Sequence, residues 1–287
     1  FNRHDTIDDT LHSLAAQTFT NYEIIVVDDG STNTKSVSRL KDLEKNDTPK
    51  IRFMHQKNQG VATARNRGIA SSRGKYSICL DSDDIIEPTF IEKAVVVLET
   101  DPDVSVVTSY MTVFGVKEEV YKHIEYNPLA LHKNNMVSTA AMFKKSAWKV
   151  AGGYKSDIGY EDWEYWIGLA ENGFWGKLIP ETLFRYRTSM QSRYVEDKNV
   201  HWNHLKTIRL LHPNYRSKIK KLTVKRQYVK QAIESTSAFI NMSDKTNYAK
   251  PETRLKNVII ASSWMTFGGS EHLIYKFCRQ IKDAYHI

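Results

Sequence analysis

Three groups of carboxylates stand out by type and spacing. The stretch VVDDGST puts Asp28 and Asp29 side by side after an apolar run, Ile24 to Val27; CLDSDDIIEP puts Asp81, Asp83 and Asp84 after a second; GYEDWEYW carries Glu161, Asp162 and Glu164. Adjacent carboxylates repel unless a cation or a ligand's donors compensate them. Asp-X-Asp after a buried strand suits a hard divalent cation, Mg2+ or Mn2+, which takes oxygen ligands and needs only one or two carboxylates plus phosphate oxygens of a diphosphate. The remaining carboxylates can accept hydrogen bonds from ribose hydroxyls or a base N–H. Each group alone also fits a blander role, since Asp caps helices and makes turns, and acidic residues favour a helix's first turn.

The elements that must position these groups alternate. Residues 6–18 carry Ile7, Leu11, Leu14 and Ala15 at helical spacing, and residues 23–27 form a short β-branched run of the kind buried in a sheet. Residues 34–45 read as helical, 50–55 as extended, 60–71 as helical, 76–80 as extended, 88–99 as a helix opened by Pro88, and 104–110 as extended. This alternation predicts an α/β fold, a mostly parallel sheet flanked by helices. Ligands of such sheets bind outside the carboxyl ends of the strands, so both aspartate clusters are expected on one rim, facing one crevice. The opening FNRHDTIDDTLHSL begins at a helix start with no strand before it, and a strand is expected upstream.

Composition narrows the partners. The 287 residues are 41% hydrophobic, ample for a sizeable core, and no run approaches the roughly 18 apolar residues of a membrane-spanning helix. Cys79 and Cys278 fit no metal or redox spacing and read as buried free thiols in a reducing cytosol. The net charge of +8 points to an anionic partner, and its excess is local: no acidic residue lies between Lys198 and Ile233. That basic segment reads as amphipathic helices, with Leu205, Ile208, Leu211, Ile219, Leu222, Val229 and Ile233 on apolar faces. It suits the surface of an anionic membrane or a phosphate-bearing acceptor, and equally a solvated face packed on a core. Aromatic residues are too sparse in it for a nucleic acid.

Four ordered stretches, VVDDGST, NQGVATARNRGI, GKYSICLDSDD and GYEDWEYWIGLAENG, resemble the successive signatures of glycosyltransferase family 2, enzymes of the GT-A fold that use nucleotide-activated sugars. The resemblance implies a nucleotide-sugar-binding half at residues 1–110, an acceptor-binding half at 111–190, and a basic helical extension and linker at 191–255. It implies that Asp29 accepts a hydrogen bond from a uracil N3–H, that Asp28 orients the turn, and that Asp81 sits near the ribose. Asp83 would bind the divalent metal of a UDP-sugar diphosphate. Arg65 would approach the nucleotide, with Asn58, Gly60 and Asn66 shaping the same wall, where a packing or turn role is an equal alternative. Asp162 would be the base of an inverting single displacement, taking the proton of an acceptor hydroxyl. Glu161 would support it, and Tyr160, Trp163 or Trp166 would offer an acceptor platform, unless they are core. The implied activity is a metal-dependent hexosyl transfer to a glycan, a lipid-linked acceptor or a cell-surface polymer. Its implied place is the bacterial cytoplasm, at the inner face of the membrane.

The resemblance also has departures. Where many relatives carry a His after the strand that follows the acidic motif, this chain has Arg187, Thr188 and Ser189. Fewer protein ligands, or His201 or His204 reaching in, would have to complete the metal site. Residues 256–287, with Gly268-Gly269 before a new helix, resemble the opening of family 4 glycosyltransferases of the GT-B fold and read as the truncated start of a second domain. Two other classes share parts of the pattern. A phosphoacceptor receiver has an acidic pair and a later Asp but is shorter and has no use for GYEDWEYW. A nucleotidyltransferase making an activated sugar needs a glycine-rich basic loop that NRHDTID does not supply.

Overall fold

A computed structural model of the chain describes residues 1–45, 50–116, 118–156, 158–188 and 198–243. The first helix, α1 (Ile7–Ala15), leads into β1 (Ile24–Asp28), α2 (Thr34–Lys45), β2 (Ile51–His55) and α3 (Val61–Ser71). Then come β3 (Tyr76–Ile78), the two-residue β4 (Ile85–Ile86), α4 (Phe90–Thr100) and the long β5 (Val104–Gly115). The second half adds β6 (Glu119–Tyr121), α5 (Pro128–Leu131), β7 (Met142–Lys144), α6 (Lys145–Ala151), α7 (Glu161–Glu171) and β8 (Trp175–Thr188). Two helices, α8 (Lys198–Leu211) and α9 (Tyr215–Ser243), close the described chain.

The sheet is mixed, which corrects the expectation of a mostly parallel one. β1 and β2 pair in parallel as a two-stranded sheet, from Ile24 opposite Ile51 to Asp28 opposite His55. The other sheet runs β3-β7-β5-β8-β4, with β6 on β5. In it only β5 and β8 are parallel; β3–β7, β5–β7, β4–β8 and β5–β6 are antiparallel. The helix–strand alternation of the first 110 residues carries no information about the later half. There β6 folds straight back on β5, and β7 enters between β3 and β5 from the opposite direction.

Two apolar clusters hold these layers. One lies between α4 and the sheet, with Phe90, Ala94 and Leu98 against Val104, Val107, Met142 and Phe184. The other gathers α6, α7, α8 and α9 around Phe143, Tyr165, Trp166, Ile208 and Ile219. Local chemistry sets the ends of elements: Asn127 caps α5 by accepting from Leu129 N at 2.9 Å and Ala130 N at 3.3 Å, ahead of Pro128. By internal contacts the chain divides into Phe1–Tyr228 and Val229–Ile287; of the second unit, residues 229–243 are described and are helical. Cys79 is a buried free thiol, pushed up to about 11 by burial. Cys278 and the glycine pair at 268–269 lie outside the described residues. Among the described residues no helix is long and apolar enough to cross a membrane.

Candidate active site

At the end of β1 the adjacent carboxylates are separated by what they bind. Asp28 Oδ1 accepts from Ser31 N at 3.1 Å and Ser31 Oγ at 2.6 Å, and Oδ2 faces His55 Nδ1 at 3.3 Å. Burial works to raise the Asp28 carboxyl, but the Ser31 and His55 bonds outweigh it and hold it below the usual carboxylate range. Asp29 turns the other way and is 6% exposed. It accepts from Gln56 Nε2 at 2.7 Å, Gln59 N at 2.8 Å and Gly60 N at 2.9 Å, and so holds the loop between β2 and α3. Gly30 has φ +74°, and a Cβ there would come within 2.7 Å of Asn58 N, so only glycine fits the turn. Asn58 and Gly60 are exposed on the rim of that loop. Beside it lies a cavity of about 50 Å³, lined among others by Arg3, Val27, Asp28, Ser31 and Ser82. Ser82 belongs to the turn after β3, so this cavity runs from Asp28 to that turn.

After β3 the three aspartates part company. Asp81 is the most open, its side chain 38% exposed, and accepts from Arg65 Nη2 at 2.9 Å. Asp83 is 22% exposed and lies 3.4 Å from Arg3 Nη2; burial raises its carboxyl, Arg3 opposes that, and Asp81 adds to it. Asp84 is 1% exposed, which corrects its expected place on the rim. One of its oxygens accepts from Arg187 N at 2.9 Å, and the other has no hydrogen-bond partner among the described residues. Burial, then Asp81, push it well above the usual range. The reason lies in α1, which is pinned beneath the turn by Thr6 Oγ1 to Ser82 O at 2.9 Å and Thr10 Oγ1 to Asp84 O at 2.8 Å.

The third group opens α7. Tyr160, its N-cap, takes the left-handed φ of 62°. Glu161 is 8% exposed, while Asp162 stays half-buried. Two long side-chain contacts reach Asp162, Asn135 Nδ2 at 3.4 Å and Thr139 Oγ1 at 3.5 Å, both on Oδ2, and the Trp163 backbone N–H also bonds its carboxylate. Burial, then the neighbouring Glu161, raise its carboxyl above the usual value. Trp163 is 6% and Trp166 1% exposed, which corrects their expected role in acceptor stacking. Helix periodicity turns both into the core, where Trp163 Nε1 donates to Leu131 O at 2.7 Å and Trp166 packs edge-on to Phe143. Glu164 faces inward as well, bound by Lys155 and by His212 Nε2 at 2.9 Å, while His212 Nδ1 meets Glu171 at 2.9 Å.

Arg65 joins the second group to the third. Its side chain is 8% exposed, and besides Asp81 it donates from Nη1 to Glu161 Oε1 at 2.9 Å. Burial works against its charge, but Asp81, Tyr154, Cys79 and Glu161 outweigh it and raise the guanidinium well above its ordinary value. Next to it, Asn66 donates to Tyr154 O at 2.7 Å and accepts from Tyr154 N at 2.9 Å and Trp148 Nε1 at 3.0 Å. Gly153 makes room for this: its φ is +77°, and a Cβ there would lie 2.5 Å from Asn66 Oδ1.

Arg187 turns back to Asp9 at 2.6 Å and to Asp83 O at 2.8 Å. His201 and His204 engage Tyr160, His201 Nδ1 lying 2.9 Å from its hydroxyl. Sequence reasoning missed Asn135 and Thr139, because the polar residues of KNNMVSTA carry no spacing signal that would single these two out. It also missed the inward His212. On α8 and α9, Arg209, Arg216, Lys220, Lys221 and Lys225 are exposed, as are Leu210, Val224 and Tyr228.

Residues 1–160 match the family described as Glycosyl transferase family 2, and the chain belongs to that family. It is similar to an uncharacterized glycosyltransferase of Haemophilus influenzae, 30% identical over 211 residues, which are 65% of this chain and 62% of that protein. The chain thus spans less than two thirds of that relative's length. Its fold is similar to that of S. aureus TarS 1-349 in complex with UDP-GlcNAc, with a TM-score of 0.57 at 17% identity over 67% of this chain and 57% of the other. It is also similar to the mannosyltransferase PcManGT from Pyrobaculum calidifontis in complex with GDP-Man and Mn2+, with a TM-score of 0.54 at 17% identity, covering 84% and 78% of the two chains.

Proposed function

We propose that the chain is an inverting, metal-dependent glycosyltransferase that moves a sugar from a UDP-sugar to a hydroxyl of a glycan or lipid-linked acceptor. One observation carries the reading: Asp162, a raised carboxylate whose side-chain contacts from Asn135 and Thr139 are long, is tied through Glu161 and Arg65 to Asp81, beside Asp83. A base and a donor site thereby share one arginine. The nucleotide sugars in the TarS and PcManGT complexes support the donor class.

In this reading Asp162 accepts the proton of the acceptor hydroxyl. The hydroxyl oxygen attacks the anomeric carbon from the face opposite the diphosphate, and the bond from that carbon to the diphosphate oxygen breaks. A raised carboxyl is the better base near neutral pH. Asn135 and Thr139 orient it. Asp29 Oδ2 holds one bond, from Gly60 N, and retains a lone pair for a base N–H. Asp81 accepts from a ribose hydroxyl. The donor set at Asp83 fits a hard cation, since its carboxylate carries charge that Arg3 compensates only at 3.4 Å. Among the described residues no group of three or more His, Cys, Asp or Glu forms a metal cage, so diphosphate oxygens would complete the coordination. A cation there supplies charge neutralisation for the departing diphosphate.

Thermal melting tests the reading. UDP and a UDP-sugar should stabilise the chain more with Mn2+ than without, and Asp83→Ala should remove the metal-dependent part. Stabilisation by a nucleoside triphosphate or acetyl phosphate alone sinks it.

A further inference from the structure

Arg65 sits where no packing argument needs a charge. A guanidinium taken out of water is costly unless its partners are well placed, and an apolar side chain of similar volume is often the more stable choice. Here the partners are well placed but divided: Asp81 follows β3 and Glu161 begins α7, 96 residues from Arg65 along the chain. Among the described residues Nε has no hydrogen-bond partner, so the guanidinium's hydrogen bonds go to these two carboxylates, while its Cζ lies 5.4 Å from the centre of the Tyr154 ring. The planar fork fixes both directions at once, which an ammonium cannot do. Its helix cannot drift, because Asn66 fastens the next residue of α3 to the 148–154 segment.

We propose that Arg65 is a positioning residue for the transfer reaction: by bridging Asp81 and Glu161 it sets the donor-binding end of β3 in register with the base on α7. The proposal rests on the transferase reading above and deepens it. Arg65 thus acts through Asp81 and Glu161 and is not itself a nucleotide ligand.

A second consequence is electrostatic. The groups that face Asp162 are Glu161 on α7, Arg65 on α3, Asp81 after β3 and Tyr186 on β8, with Asn135 and Thr139 on the loop before β7. Arg65 is the cation of the set, and it counters burial and Glu161 in holding Asp162 ionised. A base works only when deprotonated, so the acid limb of the turnover profile follows Asp162.

Release of UDP from a UDP-sugar, with water as the acceptor, gives kcat and KM across pH for the full chain and its variants. Arg65→Gln should leave UDP affinity near wild type, lower kcat on the order of 10²-fold through misplacement of the base, and move the acid limb to higher pH. Arg65→Lys should restore the limb but only part of kcat. If Arg65→Gln does not fold, Glu161→Gln breaks the bridge from the other side; it should also lower kcat but move the limb to lower pH. Wild-type kcat and an unmoved limb in these variants overturn the proposal, as does loss of UDP binding at unchanged kcat, which would make Arg65 a donor ligand. Wild-type chain that turns over no nucleotide sugar overturns the transferase reading, and this proposal with it.

Discussion

The carboxylates that close β1 and Asp162 in the first turn of α7 are equally crowded by like charge in sequence and are held in opposite ways. Asp28 and Asp29 are each met by several short bonds, from Ser31, Gln56, Gln59 and Gly60, and Asp28 is held below its ordinary range. Asp162 is met by side-chain donors only at 3.4 and 3.5 Å, besides the Trp163 backbone N–H, and is raised. Saturation builds a wall, because a carboxylate bound by several donors fixes the loop that supplies them. Under-satisfaction leaves a proton acceptor, at a cost to the fold. Like charge alone does not tell the two apart; the supply of local donors does.

The contrast breaks most visibly at Asp162. Replacing it with Asn should cut transfer about 10²–10⁴-fold while raising the melting temperature about 2–4 °C at neutral pH. The sign follows from its raised folded value: its contribution to stability is full below the unfolded value and is lost as pH rises through the folded one, so at neutral pH the charged form costs the fold. A variant less stable than wild type at pH 7 would show that Asp162 belongs with the saturated group. Asp29→Ala tests the other side. Three donors, two of them backbone N–H groups, lose a buried acceptor, and denaturant titration should show a loss of about 3 kcal/mol.

The smallest effect concerns His55, whose ring is held by Glu44 and Asp28. Its bond to Glu44 raises it against burial, and Asp28 adds to that. The stabilisation is therefore complete below about pH 6.5, the unfolded value, and is lost as pH rises through the folded one. With the side chain 52% exposed, solvent screening leaves it at about 0.5 kcal/mol. Melting curves between about pH 6 and 8 should flatten slightly in His55→Gln.

Much of this arrangement is legible in the sequence where the signal is local. The expected strand at 23–27 is β1 (Ile24–Asp28), and the helix at 88–99 is α4 (Phe90–Thr100). Apolar runs and a proline at a helix start are properties of a few consecutive residues. The antiparallel entry of β7 is not legible, because it depends on which distant edge lies open. The burial of Asp84, Trp163 and Trp166 fails for a related reason. Acidic or aromatic type says what a side chain can do, and the packing of α1 and of the α6–α9 cluster decides which way it points.

Asn66 and Arg65 have a consequence for anyone recombining such chains. Two consecutive residues of one helix clasp the later half of the fold, Asn66 at Trp148 and Tyr154 and Arg65 at Glu161. A graft that exchanges the later half between relatives must therefore keep α3 matched to the incoming 148–154 loop, glycine at 153 included. The natural seam for swapping specificity follows the Asn66 clasp in space and not the halfway point of the chain.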